Sequence, residues 1–138
     1  MPMREISYQQ VVSAVRSLCI TANTVLTPDL RQAIQAARET EESPVGQAIL
    51  GDLTENFTFA AARGLPICQD TGMAVVFVRL GQEVQITGGL LTAAIHEGVA
   101  KGYTEGRLRC SVVADPLRRE NTGNNTPAII HLKLVEGD

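Results

Sequence analysis

Met73-Ala74-Val75-Val76-Phe77-Val78-Arg79-Leu80 is the stretch on which the fold turns. It is nearly continuous in apolar residues and rich in β-branched ones, so it predicts a buried strand. Gly81-Gln82 reads as a tight turn into Glu83-Val84-Gln85-Ile86, a shorter alternating strand. Residues 128–135 alternate again, with Ile130, Leu132 and Leu134 on one face and His131 and Lys133 on the other. Gly88-Gly89 between these strands opens a helix through Leu90, Leu91, Ala94, Ile95 and Val99, with Gly102 closing it.

Upstream of the quoted stretch the pattern is helical. Ser7 followed by Gln10 forms a capping box, with Val11, Val12, Val15, Leu18 and Cys19 as an apolar stripe behind it. Thr27-Pro28 is a cap with proline at the first helical position, and Leu30, Ala33, Ile34 and Ala37 give that helix a face. Ser43-Pro44 repeats the device ahead of Val45, Ala48, Ile49, Leu53 and Phe57, and the stripe runs on to Ala60 and Ala61. Gly64 supplies a left-handed stop and Pro66 prevents continuation. The expectation is an α+β fold: an N-terminal helical layer packed on a mixed sheet. It forms one domain over residues 1–138, helical over 1–64 and α/β over 65–138.

With 138 residues, the chain can bury a real core. That core should be aliphatic, because aromatics make up only 4% and Trp is absent. The net charge of −3 is scattered, with no basic block and no aromatic stacking platform, so nucleic acid is not an expected partner. No apolar run is expected to cross a bilayer, and Met1-Pro2-Met3-Arg4-Glu5 is no secretory signal. A cytoplasmic location follows by default. Cys19, Cys68 and Cys110 are odd in number and widely spaced, which argues against a disulfide framework and against a self-contained zinc site.

Two segments are too polar and irregular for their surroundings. The first is Leu65-Pro66-Ile67-Cys68-Gln69-Asp70-Thr71-Gly72. Cys68 offers a soft-metal thiolate, Gln69 both donates and accepts, Asp70 can act as base or hold a water, and Gly72 permits an unusual backbone turn. The same residues also read as a plain connector with a buried cysteine and an Asx-turn at Asp70, and pattern alone favours the connector. The second runs from Arg109-Cys110-Ser111 to Asp115-Pro116-Leu117 and on through Asn121-Thr122-Gly123-Asn124-Asn125-Thr126-Pro127. It is either an elaborate surface turn or a loop presenting amides and hydroxyls to a polar ligand, with Arg109 as a surface charge or a bidentate carboxylate clamp. Cys19 falls on an apolar helix stripe and reads as core; Cys110, His96 and His131 carry no ligand signal.

The run from Pro66 to Gly72, with Val75-Val76-Phe77-Val78 behind it, resembles the first cluster-binding motif of class I fumarases and L-tartrate dehydratases. Leu108-Arg109, Ser111-Val112-Val113-Ala114-Asp115-Pro116-Leu117 and the run from Asn121 to Ala128 resemble a second block of that family. The helical first half fits as well, so the likeness covers essentially the whole chain.

The resemblance implies an iron–sulfur hydro-lyase that reversibly dehydrates a 2-hydroxy dicarboxylate. Malate and fumarate, the tricarboxylic acid cycle pair, come first, and tartrate next. It implies a [4Fe–4S] cluster on three cysteines, of which Cys68 would be one and the others would lie C-terminal to this region. Gln69 and Asp70 would contact substrate, with Asp70 also moving a proton or holding the hydroxyl. Arg109 would bind a substrate carboxylate, and Asn121, Thr122 and Gly123 would shape the pocket wall. The chain would be inactive alone and would work with a C-terminal remainder or a β subunit, in a homo- or hetero-oligomer. The rival expectation is a non-catalytic scaffold or interaction module derived from the family. Gly137-Asp138 after the last strand is a turn signal that fits either a frayed end or a continuing polypeptide.

Overall fold

The computed structural model describes residues 3–138. In chain order the elements are β1 (Arg4–Ser7), α1 (Tyr8–Thr24), α2 (Pro28–Thr40), α3 (Pro44–Arg63), β2 (Val75–Gly81), β3 (Val84–Thr87), α4 (Leu91–Glu105) and β4 (Ile129–Val135). The fold is α+β, as expected. The chain divides into two compact units, one reaching to Ile20 and resuming at Asp70–Asp138, the other spanning Thr21–Gln69.

In the first unit the strands form two separate parallel pairs, β1 with β3 and β2 with β4. The expectation of one mixed sheet is corrected on this point. The turn at Gln82-Glu83 exists, yet the strands on either side of it part: β2 aligns Val75 with Ile129, and β3 aligns Val84 with Arg4. Beyond its strand β2 is held by the terminal segment, where the Gln82 and Glu83 N–H groups donate to the Val135 and Gly137 carbonyls. A Cβ on Gly81 would collide with the Gly137 carbonyl, which is why the chain can close so tightly there.

The core of this unit gathers Val15 and Cys19 of α1, Ile95, Val99 and Tyr103 of α4, Leu108 and Ala128, with Val76, Val78 and Ile130 packed against them. It is largely aliphatic, as the composition requires. The helix start is the capping box read from the sequence: the Ser7 N–H donates to Gln10 Oε1 at 2.8 Å and the Gln10 N–H to Ser7 Oγ at 3.3 Å. An apolar window within Tyr8–Thr40 has a mean hydropathy of 1.2, enough by length and composition to span a membrane. The helix is broken at residues 25–27, however, and α1 buries Val12, Val15 and Cys19 in the core, which is the behaviour of a core helix.

Gly102 does not close α4. The helix runs on to Glu105, and both Gly98 and Gly102 sit inside it, buried at the crossing with α1. A Cβ on Gly102 would lie 2.7 Å from Cys19 Cβ. The glycine serves close helix packing rather than termination. The strand at 75–81 is also less buried than its apolar run suggests. Val76, Val78 and Leu80 face inward, but Phe77 is 77% exposed. A parallel pair needs a layer on each face, and the described residues provide one. Leu132 and Leu134 of β4, and Leu18 of α1, are likewise largely exposed.

The second unit is the α2–α3 pair. Pro28 and Pro44 occupy first-turn positions as read. Ser43 Oγ caps by accepting the Gly46 N–H at 3.4 Å, whereas Thr27 makes no side-chain cap bond. The Thr27 hydroxyl turns instead to Asp29, whose carboxyl it holds below the usual range, helped by the Leu30 N–H. Gly64 ends α3 at φ +62, its N–H donating to the Ala60 carbonyl. Of the expected stripe on α3 only Phe57 and Ala60 are buried; Val45, Ile49 and Leu53 are exposed. Arg31 lies over the Phe57 ring at 5.6 Å.

Candidate functional site

Cys68 and Gln69 close the second unit; both are exposed. The segment leading to them is anchored within that unit, where the Ile67 N–H donates to the Asn23 carbonyl at 2.9 Å and Asn56 Nδ2 to the Ile67 carbonyl at 2.8 Å. The buried cysteine of the connector reading is thereby corrected: the Cys68 thiol is at the surface. Cys19 is the buried one, and burial pushes its thiol up from the ordinary range. Cys110 is half-buried, its Sγ 4.0 Å from the Leu108 carbonyl oxygen.

Asp70 resumes the first unit, exposed, and the two residues after it are pinned to the second polar segment. Thr71 Oγ1 donates to the Arg109 carbonyl at 3.0 Å, while Tyr103 Oη donates to the Thr71 carbonyl at 3.0 Å. Gly72 has φ +59, a conformation suited to glycine, and its carbonyl accepts Asn125 Nδ2 at 2.9 Å. Asn125 Oδ1 in turn accepts the Ser111 and Val112 N–H groups at 2.7 and 3.1 Å. Residues that stand far apart in sequence are thus stitched together around the backbone of Asp70-Thr71-Gly72 and Arg109-Cys110-Ser111.

Arg109 is exposed, its guanidinium available to an anion. Asn121, Thr122 and Gly123 form the turn that backs this segment. Asn121 Nδ2 donates to the Cys110 carbonyl at 2.8 Å and its Oδ1 accepts the Gly123 N–H at 2.7 Å. Thr122 donates to the Val112 carbonyl through both its N–H and its hydroxyl, and Gly123 adopts φ +74. These side chains bond their own loop and hold its shape. The turn at Asp115 is a true Asx turn, its Oδ1 accepting the Leu117 and Arg118 N–H groups.

Sequence reasoning missed three contributors. Asn125 reads from the sequence only as a departure from the acidic residue expected at this place in the family pattern. Tyr103 lay beyond the presumed helix end. His96 carries no ligand signal, yet its Nδ1 accepts the Ala128 N–H at 3.2 Å and anchors the start of β4. Asn125 stands apart from its neighbours by its burial and its left-handed conformation, neither visible in sequence.

A cluster needs several soft ligands. Among the described residues no group of three or more His, Cys, Asp or Glu could hold a metal ion. Of the three thiols, one is in the core and one is half-buried, which leaves the exposed Cys68 as the fitting donor. Among the described residues the donor set is one exposed thiol, which falls short of a complete cluster site.

The family model described as fumarate hydratase (fumerase) matches residues 12–138. The chain is 38% identical over 120 residues to the aerobic class I fumarate hydratase of Escherichia coli K12, covering 85% of this chain and 22% of that protein. It is 33% identical over 125 residues to a putative L(+)-tartrate dehydratase subunit alpha of Methanocaldococcus jannaschii, covering 87% and 44%. With the E. coli L(+)-tartrate dehydratase subunit alpha it shares 27% over 128 residues, covering 90% and 42%. The chain belongs to the fumarate hydratase family. It spans less than half the length of each of these relatives.

Proposed function

We propose that this chain is one partial domain, residues 1–138, of an iron–sulfur hydro-lyase that interconverts a 2-hydroxy dicarboxylate and its unsaturated product in the cytoplasm, with malate and fumarate as the first candidate pair and tartrate as the second. The observation that carries the reading is the hydrogen-bonded junction of Thr71 and Gly72 with the backbone of Arg109, Ser111 and Val112. It supports a shared role for Asp70, which precedes Thr71, and Arg109, whose carbonyl accepts the Thr71 hydroxyl.

The chemistry asks for such an arrangement. The proton that leaves lies next to a carboxylate and is barely acidic. Its loss builds charge on a group that is already anionic, so fixed cations and donors must meet that charge. Arg109 clamps one carboxylate through paired N–H bonds. Gln69 hydrogen-bonds the substrate, and Asp70 either moves the proton or holds the hydroxyl. Asn121, Thr122 and Gly123 keep the wall in shape. Cys68 contributes one thiolate to a [4Fe–4S] cluster whose remaining ligands come from a C-terminal remainder or a β subunit. That cluster, when bound, supplies the Lewis acid for the departing hydroxyl.

The test is complementation. The chain alone, after anaerobic treatment with iron and sulfide, should not hydrate fumarate. Supplied with the missing C-terminal part of a family member and a reduced cluster, it should. Turnover by the chain alone, or none by the reconstituted assembly, overturns the proposal.

A further inference from the structure

We infer that Asn125 is the positioning residue that sets where Asp70 stands relative to Arg109; the functional weight of this inference rests on the hydro-lyase reading above. Asn125 is completely buried, and every polar atom of its side chain is used. Oδ1 gathers two N–H groups from Ser111 and Val112, while Nδ2 reaches the Gly72 carbonyl. Only an amide of this length both accepts and donates in that way. An ionised Asp accepts only, and Gln is one methylene too long. Its φ of +60 lies in the left-handed region, which Asn enters more easily than other residues with a side chain.

Asn125 acts through backbone, because its side chain bonds the Gly72 carbonyl and the Ser111 and Val112 N–H groups. Gly72 needs such an anchor. At φ +59, with nothing within 4 Å of where a Cβ would be, sterics alone do not hold it. The Thr71–Arg109 bond fixes one point between the segments, and Tyr103 Oη holds the Thr71 carbonyl from α4. The Asn125 bridge, one residue further along the first segment and two to three along the second, adds a second point between the two segments. Both groups that would face the substrate then leave a frame fixed at two points.

Two measurements test this. In the chain itself, Asn125→Gly keeps the left-handed backbone and deletes all three bonds. The amide NMR signals of Asp70, Thr71 and Arg109 should shift or broaden, and hydrogen exchange at Ser111 and Val112 should quicken on the order of ten-fold or more, with Val99 and Leu132 unchanged. Undisturbed Asp70 and Arg109 amides overturn the positioning role, whatever the protein catalyses. In the reconstituted enzyme, Asn125→Asp should lower kcat/KM by about 100-fold, the scale of an ångström-sized misplacement. The loss should shrink toward acid pH, where a protonated carboxyl again offers one donor and one acceptor, at a thermal midpoint that does not track it. A flat ratio to wild type across pH counts against the inference. A wild-type assembly without turnover counts instead against the hydro-lyase reading, and the amide data then decide the positioning alone.

Discussion

Gly98 of α4 rides directly on Val15 of α1: a Cβ on the glycine would lie 2.7 Å from the valine Cβ and 2.8 Å from the Val12 carbonyl oxygen. Gly98→Ala gains up to about 1 kcal/mol in helix propensity. It also forces a methyl against backbone, and overpacking of that kind costs about 1–3 kcal/mol. The net should be destabilising, read as a lower urea midpoint at unchanged slope. A raised midpoint would show that the helices separate freely.

The cysteines should separate by role. In the reconstituted assembly Cys68→Ser should abolish cluster absorbance, because a hydroxyl is a much poorer soft ligand than a thiolate. Cys19→Ser should keep the absorbance and lower stability by about 1–3 kcal/mol through burial of a hydroxyl. Full absorbance and rate in Cys68→Ser would remove that residue from the metal chemistry.

Asp70→Asn keeps shape and loses charge and basicity. We expect the cluster spectrum to persist and turnover to fall about 100- to 10,000-fold, the usual worth of a positioned acid–base group. A rate within a few-fold of wild type would confine Asp70 to the turn.

Acid should loosen the tie between α1 and α4. Tyr8 Oη donates to Glu97 Oε2 at 2.7 Å and Lys101 Nζ to Glu97 Oε1 at 2.6 Å. Lys101 first, and Tyr8 second, hold the Glu97 carboxyl below its ordinary value. A carboxyl depressed in the folded state contributes stability above its unfolded pKa, near 4.3, and loses it as pH falls through the folded value. Glu97→Gln should therefore flatten the acid limb of the stability profile, and between pH 6 and 8 it should lower stability by a constant amount without changing the slope. An identical acid limb would mean the tie is mute.

Phe77 stacks on His131 across β2 and β4, ring centroids 4.9 Å apart, on the open face of that pair. Phe77→Ser should change the unfolding free energy by no more than about 0.5–1 kcal/mol, since little area is buried and one ring contact is lost. Self-association of the chain in light scattering should fall. A loss of several kcal/mol would show the face to be covered.

Most of the fold was legible because its signals are local. Ser7 with Gln10, Pro28, Ser43-Pro44 and Gly64 act within a turn of the helix ends they set, and β2 and β4 carry their β-branched character in their own residues. What was not legible is pairing. Arg4-Glu5-Ile6-Ser7 has one apolar residue and becomes a strand only because β3 lies beside it. Gly102 as helix end and Gly102 as helix contact are the same letter; only the position of Cys19 decides between them. Among the proposed functional residues, Cys68, Gln69, Asp70 and Arg109 stand out by chemistry and by family likeness. Asn125 did not, because its importance comes from being buried between two segments that the sequence keeps apart.

Both strand pairs join positions remote in the chain, Arg4 with Val84 and Val75 with Ile129. No hairpin exists to start either of them. Each pairing must wait until a long intervening loop has closed, and the entropy of closure comes before any ladder bond forms. Helix α4 and the Asn-rich turn lie inside the β2–β4 loop, so the polar framework around Asp70 and Arg109 can assemble only after that late event. Refolding from urea should accordingly be slow for a chain of this size, in the millisecond-to-second range. Protection of the Ser111 and Val112 amides should arise with β4 rather than with the helices, and a nascent chain released before residue 129 should lack the second half of its sheet.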